Sequence, residues 1–175
     1  MRITRRSFVW SPLLCLTLIT VLTLSACAGR SNVFTESRDE RLNRLDDERA
    51  RLARSTGPVD RTRAQIRISS LLISLMGDAV GDGDLERMGQ RVTEYRESVT
   101  DARDTMLESG RDATGDSNGF RDLEIALRQH RGQIEDIRSQ LTFQFREPLD
   151  TLIDDVAQIR DELLEQLFPT VREGA

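Results

Sequence analysis

The 175-residue chain has no lysine; all 25 of its basic residues are arginine. It has one histidine, one tyrosine, four prolines and two cysteines, and only 5% of it is aromatic. Each scarcity excludes something. A lone His130, with cysteines only at Cys15 and Cys27, leaves no His-x-x-x-His, Glu-x-x-His or Cys-x-x-Cys spacing. A metal centre of the common kinds therefore has no ligand set. Few aromatics mean that a core must be built from aliphatic side chains. Few prolines leave long helices uninterrupted. The 30 carboxylates outnumber the arginines, giving a net charge of −5. That removes the basic face on which nucleic-acid binding depends, so no nucleic-acid partner is expected. No phosphate loop and no cysteine–histidine pair is available, so catalysis has no visible carrier and no cofactor site is expected.

What is present begins with a leader. The stretch MRITRRS carries Arg2, Arg5 and Arg6, and Phe8 to Leu24 then runs without a charge. Small residues, Ser25 and Ala26, precede Cys27. Residues 1–26 read as a signal peptide: positive charge stays on the cytoplasmic side and the apolar run enters the membrane. Ser7 to Gly29 is also long enough to span a bilayer uncleaved. Either way the rest of the chain is expected outside the cytoplasm.

Leu24-Ser25-Ala26-Cys27 resembles the lipobox of bacterial lipoprotein precursors at all four positions. The resemblance implies cleavage before Cys27 and acylation of that cysteine, with two or more chains holding the protein firmly on a membrane. Ala28 and Gly29, with no Asp after Cys27, imply the outer membrane, facing the periplasm, in a double-membraned cell. Thr4-Arg5-Arg6-Ser7-Phe8-Val9 resembles a twin-arginine export signal. It lacks the lysine often found after the apolar pair, so the general secretory route stays open beside it. Cleavage would remove Cys15 and three arginines, leaving 22 arginines against 30 carboxylates, a net charge of −8 and no disulfide. Such a chain has no polybasic patch for anionic lipid.

The rest of the chain is read as all-α, an antiparallel bundle of four to five helices over residues 37–168. A tether at 27–36 precedes it and a short tail at 169–175 follows. The nine residues from Cys27 to Thr35, extended, reach at most about 30 Å. Ser37-x-x-Glu40 matches a capping box, and Ser55-Thr56-Gly57-Pro58 is a stop. The helix between has sparse leucines (Leu42, Leu45, Leu52), with Arg49 where the stripe should continue. Such a helix is expected to dock onto a partner or a second copy. A second helix, Val59 to Met76, carries the broadest apolar stripe and should be the most buried. Gly77-Asp78 and Gly81-Asp82-Gly83-Asp84 are read as its breaks.

The third helix places Leu85, Met88, Val92, Tyr95, Val99, Ala102 and Met106 at alternating spacings of three and four, a heptad seam. The fourth repeats it with Phe120, Leu123, Leu127, His130, Ile134, Ile137 and Leu141. The similar lengths and the connection between them predict an antiparallel neighbouring pair. A fifth helix carries Leu149, Leu152, Val156, Ile159 and Leu163. Glu147-Pro148 is expected to separate it from the fourth, because its seam is one residue out of heptad register.

Two residues stand out as possible partner or ligand contacts: Tyr95 and His130, on the seams of helices three and four. His130 reads either as a pH-sensitive residue beside a cavity or as a buried histidine bonded to a neighbouring helix. The acidic turns at 81–84 and 116–119 lack the glycine and the final glutamate of a calcium loop and read as interhelix turns. The expected function is a non-catalytic, lipid-anchored envelope scaffold or adaptor. The alternative is a periplasmic module that binds or senses a small ligand.

Overall fold

The computed structural model describes residues 36–169; the leader, Cys27 and the residues beyond Pro169 lie outside them. The chain forms α1 (Arg38–Arg54), α2 (Pro58–Gly81), α3 (Leu85–Leu107), α4 (Phe120–Ser139) and α5 (Glu147–Leu167), with a 3-10 turn at Phe143–Phe145. No strand occurs among the described residues. No described helix is long and apolar enough to cross a membrane.

Local chemistry sets most of the boundaries. The Ser37 hydroxyl accepts from the Glu40 amide, and the Glu40 carboxylate accepts from the Ser37 amide, so the capping box is formed. Glu40 is held below its ordinary carboxylate range by these hydrogen bonds. α2 starts on Pro58, whose missing N–H costs nothing in a first turn. The expected break at Gly77-Asp78 is wrong: α2 continues to Gly81. A glycine weakens a helix by about 1 kcal/mol, and here Gly77 lies against the Ile137 side chain of α4. Asp84 caps α3 through the Arg87 amide at 2.9 Å. The α4–α5 break is real. α4 stops at Ser139, a 3-10 turn follows, and Pro148 sits in the first turn of α5.

Four helices close a ring in which α2 lies beside α3, α3 beside α5, α5 beside α4 and α4 beside α2. The chain-adjacent pairs are antiparallel hairpins. The two hairpins lie side by side with α2 parallel to α4: Arg63 pairs with Asp122 near the starts of both, and Gly77 meets Ile137 near their ends. Likewise Arg96–Asp155 and Arg103–Glu162 place α3 parallel to α5.

The predicted α3–α4 neighbouring pair is therefore corrected. These helices run in opposite directions but stand on the diagonal. The connection Glu108 to Gly119 crosses the end of the bundle, and its Ala113 is buried there. A diagonal of roughly 13 Å, from interaxial spacings near 9 Å, is within reach of such a loop.

The seams face the centre as expected. Every apolar seam position named for α4 and α5 is buried, and for α3 all but Leu85, which is half-buried. α2 buries eleven residues, more than any other helix. α1 lies outside the ring, on α2. Its expected docking surface is already occupied: Leu45 is buried, and Leu42 and Leu52 pack against the same core. Arg49, which interrupts the stripe, reaches Glu94 of α3 at 3.0 Å. The leucines of α1 are thus not left exposed for a second copy.

One end of the domain gathers Glu36, the α2–α3 turn and the α4–α5 connection. The pairs Arg41–Asp78, Arg38–Asp82 and Arg138–Asp150 tie that end together. The other end carries the α1–α2 turn and the loop that crosses the diagonal.

Candidate functional site

The heptad positions of α3 and α4 bring Tyr95 and His130 together at the centre of the ring, both buried. The rings meet edge-on with centroids 5.7 Å apart. The tyrosine oxygen lies 3.1 Å from Nδ1 of His130. On the far side of the imidazole, Nε2 lies 3.0 Å from the Ser70 hydroxyl of α2.

The direction of this chain follows from its last link. The Ser70 hydroxyl donates to the Ile66 carbonyl at 2.9 Å. With its one proton committed, it accepts from Nε2–H of His130. Nδ1 is then the acceptor, and the Tyr95 hydroxyl donates to it. Three helices contribute to one polar path that runs from the buried Tyr95 through His130 to Ser70, which is exposed on α2. Burial holds His130 down to about 4, so it is neutral at pH 7. Burial also pushes the Tyr95 phenol far above its ordinary range.

Sequence reasoning placed both rings on the seam but missed Ser70. It also missed a second polar seam between α2 and α3. Ser69 and Ser98 hydroxyls lie 3.1 Å apart, and both reach the Gln65 carbonyl. Thr62 Oγ1 and Gln65 Oε1 are buried nearby without a hydrogen-bond partner. The signal was available: Thr62, Gln65 and Ser69 share the spacing of Leu72 and Met76 on the same face of α2.

The acid flank of α5 behaves as a paired surface. Asp155 receives Arg96 at 2.6 Å, and Glu162 lies 3.4 Å from Arg103. Glu124 of α4 is different, because it is buried. It accepts from Arg160 of α5 at 2.8 Å. The turns read as non-calcium loops serve their helices: Asp84 caps α3, and Asp112 accepts from the Thr114 amide. No cluster of three potential metal ligands occurs among the described residues.

Gly115-Asp116-Ser117-Asn118-Gly119 spells Gly-x-Ser-x-Gly, the spacing of a hydrolase nucleophile turn. Here it lies between two helices, with no strand to present the serine. The only histidine sits about 15 Å further along α4, bonded to Tyr95 and Ser70. Ser117 therefore has no histidine beside it to act as general base.

The concave surfaces lie elsewhere. A groove of about 300 Å³ between α2 and α4 is lined by Arg63, Ile66, Arg67, Asp122, Ile125, Ala126 and Gln129. Another, of about 470 Å³, lies at the α1–α2 turn among Arg51, Arg54, Arg63 and Arg67. Neither Tyr95 nor His130 lines either of them. Compared with known proteins, the chain matches no family model, no curated protein and no solved structure.

Proposed function

We propose that this chain is an exported protein held on a membrane by lipid on Cys27, and that its bundle is a non-catalytic scaffold or adaptor of the cell envelope. The observation that carries the reading is Leu24-Ser25-Ala26-Cys27 at the end of an apolar leader, nine residues before the domain begins. The acylated cysteine would hold the domain close to the bilayer, on its outer-membrane, periplasm-facing side where there are two membranes.

The interior supports a binding or structural role over a reactive one. Its histidine and tyrosine are buried and spent on each other and on Ser70, whose own side lies at the surface. The surface is dense with arginine–carboxylate pairs whose flat guanidinium groups favour fixed geometry over mobile charge.

Intact mass and membrane fractionation of the expressed chain, beside Cys27→Ser, test this. A chain beginning at Cys27 and carrying acyl groups, with both features lost in the variant, is expected. An unmodified soluble product, or a full-length chain in the membrane, would overturn it.

A further inference from the structure

Phenylalanine is scarce in the domain and mostly unburied. Of the four phenylalanines among the described residues, only Phe120 is in the core. Phe143 is 88% exposed and Phe145 41% exposed, two residues apart on the turn between α4 and α5. Ser139 to Phe145 is uncharged in a chain that is 31% charged.

The turn is held in shape. The Phe145 amide donates to the Thr142 carbonyl at 3.0 Å, and the Arg146 amide to the Phe143 carbonyl at 3.3 Å. The Arg146 guanidinium donates back to the Leu141 carbonyl at 2.9 Å. Leu141 itself is buried in the core and roots the turn. Two exposed phenylalanines on one held, uncharged turn form a local apolar patch, the kind of surface that something covers at an interaction site.

Its position says what does. The turn stands at the end of the domain where Glu36 enters, beside the α2–α3 turn. The 35 residues before Glu36 include the apolar run and Cys27, so an anchor on Cys27 would bring the chain to this end from the membrane. The charge at this end is mixed: Asp39, Glu86, Asp136 and Glu147 are exposed without an arginine partner among the described residues. Glu36, Asp78, Asp82, Asp84 and Asp150 each have an arginine partner at this end.

We infer that the Phe143–Phe145 turn is a second membrane contact, seating its aromatic rings in the interface of the bilayer that holds the lipid on Cys27. The inference rests on the lipid-anchor reading. Apolar side chains at the headgroup–acyl boundary bury about 5–10 Å deep, which a rigid turn at the end of a bundle can reach. Two contacts would fix the bundle's orientation on the bilayer where one would not.

The test is Phe143→Trp in the full chain, with Phe168→Trp, at the opposite end, as the control. Both positions are strongly exposed, so neither substitution disturbs the core. Trp10 leaves with the leader, so the processed protein carries one indole. The purified protein is reconstituted into vesicles of phosphatidylethanolamine and phosphatidylglycerol, with and without bromine on the acyl chains, and its mass is recorded. The expected result is blue-shifted emission and a loss of intensity in brominated vesicles for Phe143→Trp, with neither for Phe168→Trp. An acylated protein whose Phe143→Trp indole stays red and unquenched overturns the inference alone. A blue shift without bromine quenching, growing with protein density, assigns the turn to a second copy and also overturns it. A chain without acyl groups overturns the anchor reading and the inference with it.

Discussion

The Tyr95 hydroxyl and the His130 imidazole bond across the diagonal of the ring, joining two helices that pack on the other two far more than on each other. Its consequence is a pH dependence. Unfolded, the imidazole takes a proton near 6.5; folded, burial delays protonation to about 4. Stability is therefore full above pH 6.5 and falls as pH drops from 6.5 toward 4, because the unfolded chain binds the proton first. The expected loss between pH 7 and pH 5 is about 2 kcal/mol. Urea unfolding at the two values, beside His130→Leu, measures it. The variant should lose much less over the same interval; an equal loss would assign the effect to carboxylates instead.

Tyr95→Phe keeps the ring and deletes the donor. His130 Nδ1 is then a buried acceptor without a partner. The cost should be about 1–3 kcal/mol, read as a lower urea midpoint with an unchanged slope. A midpoint within error of the wild type would mean that water replaces the hydroxyl.

Gly119 is fixed by two constraints. Its φ is +84°, and a Cβ there would lie 2.6 Å from the Met106 sulfur, itself fully buried. Gly119→Ala should cost at least about 2 kcal/mol, since backbone strain and overpacking add. Gly83 also has positive φ, +73°, but faces open space. Gly83→Ala should cost only about 1 kcal/mol. Thermal unfolding of the two variants should rank them in that order, and the reverse order would contradict the packing at Met106.

Burial should also separate ion pairs that look alike in sequence. Glu124 accepts from Arg160 with both side chains largely covered, whereas Arg131–Glu135 is about half exposed. Glu124→Ala should destabilise by about 2 kcal/mol and Glu135→Ala by less than about 0.5. Equal effects in chemical denaturation would count against the difference in burial.

α1 contributes one fully buried residue, Leu45. Its amides should exchange with deuterium before those of α2 to α5, through local opening that leaves the ring intact. Leu45→Ala should speed exchange in α1 selectively. Uniform acceleration across all five helices would show that α1 unfolds only with the whole domain.

Much of the fold was legible because α3, α4 and α5 follow their heptads without a gap, and the break before Pro148 was visible as one residue of lost register. What escaped was tertiary. Gly77 reads as a breaker until Ile137 is placed against it. A connection of a dozen residues does not state whether it turns to a neighbour or crosses to the diagonal. Arg49 looks like an interruption until Glu94 arrives from α3. At the central pair, the spacing identified Tyr95 and His130, but Ser70 carries no seam signal of its own. Cys27 stands on the leader alone.

The hairpins and the added α1 make an odd number of alternating helices. A chain that traverses a bundle an odd number of times leaves by the pole opposite its entrance. Glu36 and Pro169 thus stand about a helix length apart, roughly 30 Å for the 21 residues of α5. A protein fused after Pro169 would be carried outward, clear of whatever surface the entrance faces, and the same polarity separates the Phe143 turn from the arginine-lined groove at the α1–α2 turn. The two poles therefore present different surfaces, the Phe143 turn among ion pairs at one and a groove lined with guanidinium groups at the other.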